Sequence, residues 1–399
     1  MNKPHLKPLI NRILDDIDIP DSAYEKAENR YGSLGDWLSR EESSLVQMDP
    51  HIFPQGSFRL GTVIKPIDCD HDFDLDLGCK LRKGISKETQ TQYDVKKLIQ
   101  KELEAYRQSY HIDEKLEEKK RCWCLNYKGQ PNFHMDIVPC IPERELRIKN
   151  IHQSIFEAGE TDRNAIRFAL STVDITDNTH KNYQLISDDW PLSNPEGYAG
   201  WFEFKMASQK GLFEAHADTQ VDDIPSNTRR TILQKCIQLL KRHRDVFFQN
   251  NKDSKIISII LTTLAAKAYN GEPDLIKALM HILNNMETLI RSTTPRIPNP
   301  VNPKEDFADK WNTAKGRDLQ LEENTKQWIK AAKTDITTLA NIENAYELQK
   351  KVKVLFALDI PDDFAQSLIP APLYTPPHKI KTNTPSPWLN SDEDTRQIH

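Results

Sequence analysis

The segment Asp72-Phe73-Asp74-Leu75-Asp76-Leu77 sets a carboxylate at every second position. Folded as a strand, it puts the aspartates on one face and Phe73, Leu75, Leu77 and Cys79 on the other. Like charges this close repel unless a cation neutralises them. Magnesium is suited to the task, being a hard ion held by one or two carboxylates together with substrate phosphates. Two such ions clamp the attacking hydroxyl and the leaving pyrophosphate of an in-line displacement. A further carboxylate from a neighbouring strand would complete the set. Asp136 has the right phase for it, since Phe133, Met135 and Ile137 face one way while His134, Asp136 and Val138 face the other. Upstream, Gln55-Gly56-Ser57-Phe58-Arg59-Leu60 offers a glycine that lets backbone approach phosphates and a serine that opens a helix. Singly, each signature is an ordinary turn or a solvated strand. In this order they compose magnesium-assisted displacement at a triphosphate, with Asp74, Asp76 and Asp136 as metal ligands.

The elements that must position these residues follow from periodicity. Amphipathic helices are expected over 6–17 and, after Pro20, from a Ser22 cap to about Ser44, bracing the catalytic lobe from behind. A helix over 93–110 buries Val95, Leu98, Ile99, Leu103 and Tyr106. A hairpin then turns at Lys128-Gly129-Gln130 and delivers Asp136 beside the acidic strand, with Pro139 and Pro142 ending it in a sheet of antiparallel character. Over 228–248 an apolar stripe leaves Gln234, Gln238, Lys241, Arg242 and Asp245 on a polar side, so Lys241 points away from the core. The segment 256–269 is apolar nearly all round and is expected to be buried, with Ser258 and Thr262 one turn apart. Helices over 274–291 and about 319–356 flank a proline-rich connector at 295–303. The fold class is α+β, a mixed or antiparallel sheet with a helical second lobe. The boundaries are 1–186 for the catalytic lobe, 187–369 for the helical lobe and 370–399 for a flexible Pro-rich tail.

The order G-S, h-D-h-D and a later h-D-h resembles the polymerase-beta-like nucleotidyltransferases. Leu239-Leu240-Lys241-Arg242-His243-Arg244-Asp245, Ile257-Ser258-Ile259-Ile260-Leu261 and Trp190 to Tyr198 narrow the resemblance to the bacterial cGAS/DncV-like enzymes (CD-NTases) of CBASS antiphage defence. It covers roughly Phe53 to Tyr269. The resemblance implies synthesis of a cyclic di- or trinucleotide messenger from nucleoside triphosphates such as ATP or GTP, with two Mg2+ ions (or Mn2+) held by Asp74, Asp76 and Asp136. Gln55, Gly56, Ser57, Lys241 and Ser258 would bind nucleotide. Partners would be the triphosphates and a CBASS effector reached through the diffusible product, with protein regulators and no obligatory template. Leu60 stands where some relatives have an aromatic residue that stacks on a base. The end Thr395 to His399 lacks the small terminal residue associated with conjugation to a partner, so conjugation is not expected.

The bulk properties fit this picture. A chain of 399 residues exceeds a single core and predicts two lobes. No apolar run approaches a membrane span and the N-terminus opens no signal peptide, so a cytoplasmic enzyme is expected. Six cysteines match no zinc framework. The net charge of −5 argues against a surface that binds nucleic acid throughout. Arg229, Arg230, Lys235, Lys241, Arg242 and Arg244 crowd one segment as a solvated face, a triphosphate clamp or an RNA-activator groove; Lys241 is assigned to the clamp and the others to the surface. His71 and His134 are expected to hydrogen-bond carboxylates rather than bind metal. The alternatives are template-independent transfer to RNA or protein (tailing or AMPylation) and a degenerate nucleotide sensor.

Overall fold

A computed structural model describes residues 4–67, 73–127, 133–207 and 230–369. Asp72, His71, Arg229, the hairpin turn and the tail beyond 369 lie outside the described residues. Among those described, seven strands form one mixed sheet. Its order is β1 (Pro50–Pro54), β2 (Phe73–Leu81), β5 (Phe133–Pro142), β4 (Trp123–Tyr127) and β3 (Glu117–Glu118). Beyond Cys140, β6 (Val173–Ile175) pairs with β5 and β7 (Leu192–Ser193) with β6.

The pairing of β2 with β5 is parallel, whereas the remaining pairs in this sheet are antiparallel. The sheet is thus mixed, as expected, with the acidic strand β2 antiparallel to β1 and parallel to β5. Pro139, however, does not end its strand. It falls where β4 has stopped, at Trp123 opposite Ile137, and β6 has not begun, opposite Cys140, so no ladder donor is missed. The crossover that a parallel pair requires is supplied by α4 (Gln92–Ser109), capped by Thr91 and Asp94 in a reciprocal capping box.

Two large hydrophobic cores result among the described residues, beside a small cluster of Phe53, Cys140, Val173 and Ile175. One packs the apolar face of β2 and β5 (Leu75, Leu77, Met135, Ile137) against α2 (Asp21–Ser39) and α4. The other joins α1 (Leu6–Ile17), α5 (Glu145–Glu157), α6 (Asp162–Leu170), α7 (Pro195–Ala207), α8 (Ile232–Phe247), α9 (Ser258–Ala268), α10 (Leu275–Asn285), α12 (Leu321–Asn341) and α13 (Ala345–Phe356). Thus α1 does not brace the sheet; its buried face belongs to the helical core. Helix α2 begins at Asp21 and ends at Ser39, short of Ser44, because Arg40 and Ser44 both turn to the carboxylate of Glu102. The proline-rich connector contains a small hairpin, Pro298–Asn299 with Asn302–Asp306. Among the described residues no helix is long and apolar enough to cross a membrane.

Candidate active site

Strand alternation does what the sequence predicts for β2: Leu75 and Leu77 are fully buried while Asp74 is exposed and Asp76 half-buried. Parallel register sets Asp76 opposite Asp136 and Asp74 opposite His134. The structure therefore brings the three aspartates to one face of adjacent strands. Burial, then the charges of Asp74 and Asp136, push the Asp76 carboxyl up to about 6. A site that raises a carboxylate through its neighbours' charge is one a cation would relieve.

The Gly56-Ser57 turn docks on this face. The Gln55 amide donates to the Asp76 carbonyl at 2.7 Å. Gly56 has φ +60°, and a Cβ there would stand 2.2 Å from Asp76 Oδ2. No other residue type meets both conditions without strain. The one-turn helix α3 (Gly56–Arg59) is anchored by Phe58, buried edge-on to Tyr24, and by Arg59, paired with Glu203 of α7 at 2.6 Å.

Lys241 lies elsewhere than its sequence position suggests. Its side chain is buried, and its ammonium donates to the Thr62 carbonyl at 3.0 Å and the Thr62 hydroxyl at 3.1 Å. Burial, then nearby Arg244, lowers its pKa to about 7. Three more residues of the polar side of α8 behave alike: Gln234 donates to Leu60 O (3.0 Å), Gln238 to Val63 O (2.9 Å) and Arg242 to Lys65 O (2.8 Å), while Asp245 pairs with Arg244 and Lys255. The polar stripe faces main-chain carbonyls of the segment after α3, not water. Arg242 and Arg244 are accordingly buried, which corrects their assignment to the surface. Ser258 departs in the opposite sense: it is exposed, at the first turn of α9, with its hydroxyl accepting from Arg244 Nη1 at 3.0 Å.

Two neighbours of Asp136 escaped the sequence reading. Lys119, just beyond β3, donates to Asp136 Oδ1 at 2.9 Å and Oδ2 at 3.1 Å. Only the three-dimensional hairpin register places it there, so no spacing in the sequence announces it. Cys124 stands opposite Asp136 in register. Burial pushes both its thiol and that of Cys122 up to about 12, so they remain protonated. His134 pairs through Nδ1 with Asn126.

The oxygen donors of Asp74, Asp76 and Asp136 fit magnesium in chemistry and in shared face. As they stand, no three His, Cys, Asp or Glu side chains among the described residues converge closely enough to hold a metal ion. Asp136 is instead paired with Lys119.

Comparison with known proteins places these residues in a nucleotidyltransferase domain. Residues 50–139, which contain the Gly-Ser turn and the three aspartates, match the family described as cyclic GMP-AMP synthase DncV-like, nucleotidyltransferase domain. The chain is 28% identical over 315 residues to a c-di-GMP synthase of Roseivirga ehrenbergii, spanning 77% of this chain and 74% of that one. It is 24% identical over 316 residues to the cyclic dinucleotide synthase CdnG of Bradyrhizobium diazoefficiens, spanning 77% and 70%. The solved structure of that CdnG in complex with GTP aligns with a TM-score of 0.60 at 19% identity, covering 91% of this chain and 98% of that one. Vibrio cholerae DncV in complex with the linear intermediate 5' pppA(3',5')pG aligns at 0.55 and 13%, covering 91% and 97%. Residues 50–139 thus form a nucleotidyltransferase domain of the DncV-like kind, and over most of its length the chain is similar to cyclic dinucleotide synthases.

Proposed function

We propose that this enzyme makes a cyclic dinucleotide from nucleoside triphosphates, with GTP among its substrates, in a magnesium-dependent reaction that serves antiviral signalling. The observation that carries the chemistry is the register of Asp76 opposite Asp136, with Gly56 packed against Asp76. GTP is favoured by the names of the relatives: a c-di-GMP synthase and a CdnG solved with GTP.

Asp74 and Asp76 would hold the ion that carries the triphosphate, and Asp76 with Asp136 the ion beside the attacking ribose hydroxyl. Magnesium, when bound, supplies charge neutralisation and acidifies that hydroxyl. Gly56 leaves room for phosphate at the strand, and the Ser57 hydroxyl donates to it. Lys241 supports the turn from behind through Thr62, and Ser258 is the contact offered by the helical lobe. The hydroxyl oxygen bonds to the α-phosphorus, pyrophosphate leaves, and a second round closes the ring.

Purified enzyme incubated with magnesium and each triphosphate, alone and mixed, followed by phosphatase treatment and mass spectrometry, tests the reading. A phosphatase-resistant cyclic dinucleotide is expected whenever GTP is present. Linear products alone, or labelled protein or RNA, would replace this reading with simple nucleotidyl transfer. The antiviral role requires that a catalytically intact gene, and not its Asp76→Asn form, restrict phage in cells that carry the effector.

A further inference from the structure

We propose that Lys119 is a placeholder cation for Asp136, holding that carboxylate until a divalent ion displaces it. This rests on the reading of Asp136 as a metal ligand. The ammonium grips both carboxylate oxygens, at 2.9 and 3.1 Å, and these are the atoms a metal would use. Asp136 is in register with Asp76, yet it is committed to Lys119 and the carboxylates do not converge.

The arrangement is built rather than incidental. Lys96 of α4 is wholly buried and its ammonium donates to the carbonyls of Lys119 (2.7 Å) and Lys120 (3.2 Å), while pairing with Glu118 at 3.2 Å. The Asn178 amide donates to the Lys120 carbonyl from the far side at 3.0 Å. A buried lysine that spends its charge on two main-chain oxygens fixes a turn. That turn sorts three successive cations: Lys119 goes to Asp136, whereas Lys120 and Arg121 go to Asp177. A placeholder keeps Asp136 from repelling Asp76 and keeps it oriented. Its consequence is that metal binding at Asp136 competes with an intramolecular ion pair.

The test is Mn2+ binding to the nucleotide-free full chain, followed by electron paramagnetic resonance of the unbound ion, with melting curves to verify folding. Lys119→Met should tighten the weaker Mn2+ site about two- to fivefold, the range of a partly exposed ion pair. Lys119→Arg and Lys120→Met should bind as the parent does. Unchanged or weaker binding in Lys119→Met, repeated in Lys119→Gln, overturns the proposal, as does equal tightening in Lys120→Met, which would reflect general field alone. Asp136→Asn separates the underlying reading: it must weaken Mn2+ binding. If it does and Lys119→Met still changes nothing, only the placeholder role fails. If it does not, Asp136 is no ligand and both fail.

Discussion

Lys241 and Thr62 are joined across the two cores, the ammonium donating to both the carbonyl and the hydroxyl of Thr62. Thr62 in turn donates its amide to the Ser57 carbonyl at 2.9 Å. Lys241→Ala should therefore both destabilise the enzyme, by about 1–3 kcal/mol, and raise the apparent KM for triphosphate. Arg242→Ala, which frees only the Lys65 carbonyl, should destabilise comparably and leave KM near the parent value. Denaturant melts alongside steady-state kinetics decide it. A raised KM in Lys241→Ala with unchanged stability would instead mean a direct phosphate contact.

Asp76 has its pKa raised in the folded chain, to about 6, against roughly 3.9 unfolded. Between those values the folded state binds the extra proton, so stability falls as pH rises through the window and stays reduced above it. Asp76→Asn removes this penalty. In chelator it should be more stable than the parent by about 1–3 kcal/mol above pH 6, the gain vanishing below about pH 4, while product formation is lost. A stability difference that does not vary with pH would contradict the repulsion.

Gly56→Ala places a Cβ 2.2 Å from Asp76 Oδ2 at a φ of +60°. Asp76 must then swing away from its place opposite Asp136, and turnover should fall on the order of a hundredfold. Gly159→Ala is the control: φ is +101° but nothing lies within 4 Å of the added carbon. It should cost stability through strain alone and leave kcat/KM unaltered.

Asp136→Ala should reduce kcat by about two orders of magnitude or more and change triphosphate affinity little, because the proposed interaction is made chiefly in the transition state. Pre-steady-state nucleotide binding measured beside turnover distinguishes this from a pocket role, in which binding is lost and saturated turnover persists.

The site was legible where period-two alternation and glycine chemistry decide structure. Leu75 and Leu77 could face only a core, which fixed the side of Asp74 and Asp76, and Phe133, Met135 and Ile137 did the same for Asp136. Helix positions over α1, α4 and α8 followed from amphipathic spacing. What failed was the destination of the polar face of α8. Gln234, Gln238, Lys241 and Arg242 satisfy water or a row of carbonyls equally well, and the sequence cannot say which of the two it meets. The parallel pairing of β2 with β5 was hidden by the β3–β4 hairpin lying between α4 and β5 in the chain. Lys119 was hidden by the same hairpin, since its partner is set by register across strands.

The contacts made by Gln234, Gln238 and Arg242 end on main-chain oxygens of Leu60, Val63 and Lys65. A bond to a carbonyl asks nothing of the accepting residue's side chain, but Leu60 and Val63 are themselves buried, one in each core. The segment that follows the Gly-Ser turn is thus gripped twice, by its carbonyls and by the apolar side chains of Leu60 and Val63. The stretch leading out of the turn is in this way the stitch between the helical core and the sheet core, and whatever loosens it is felt by the turn through the same backbone.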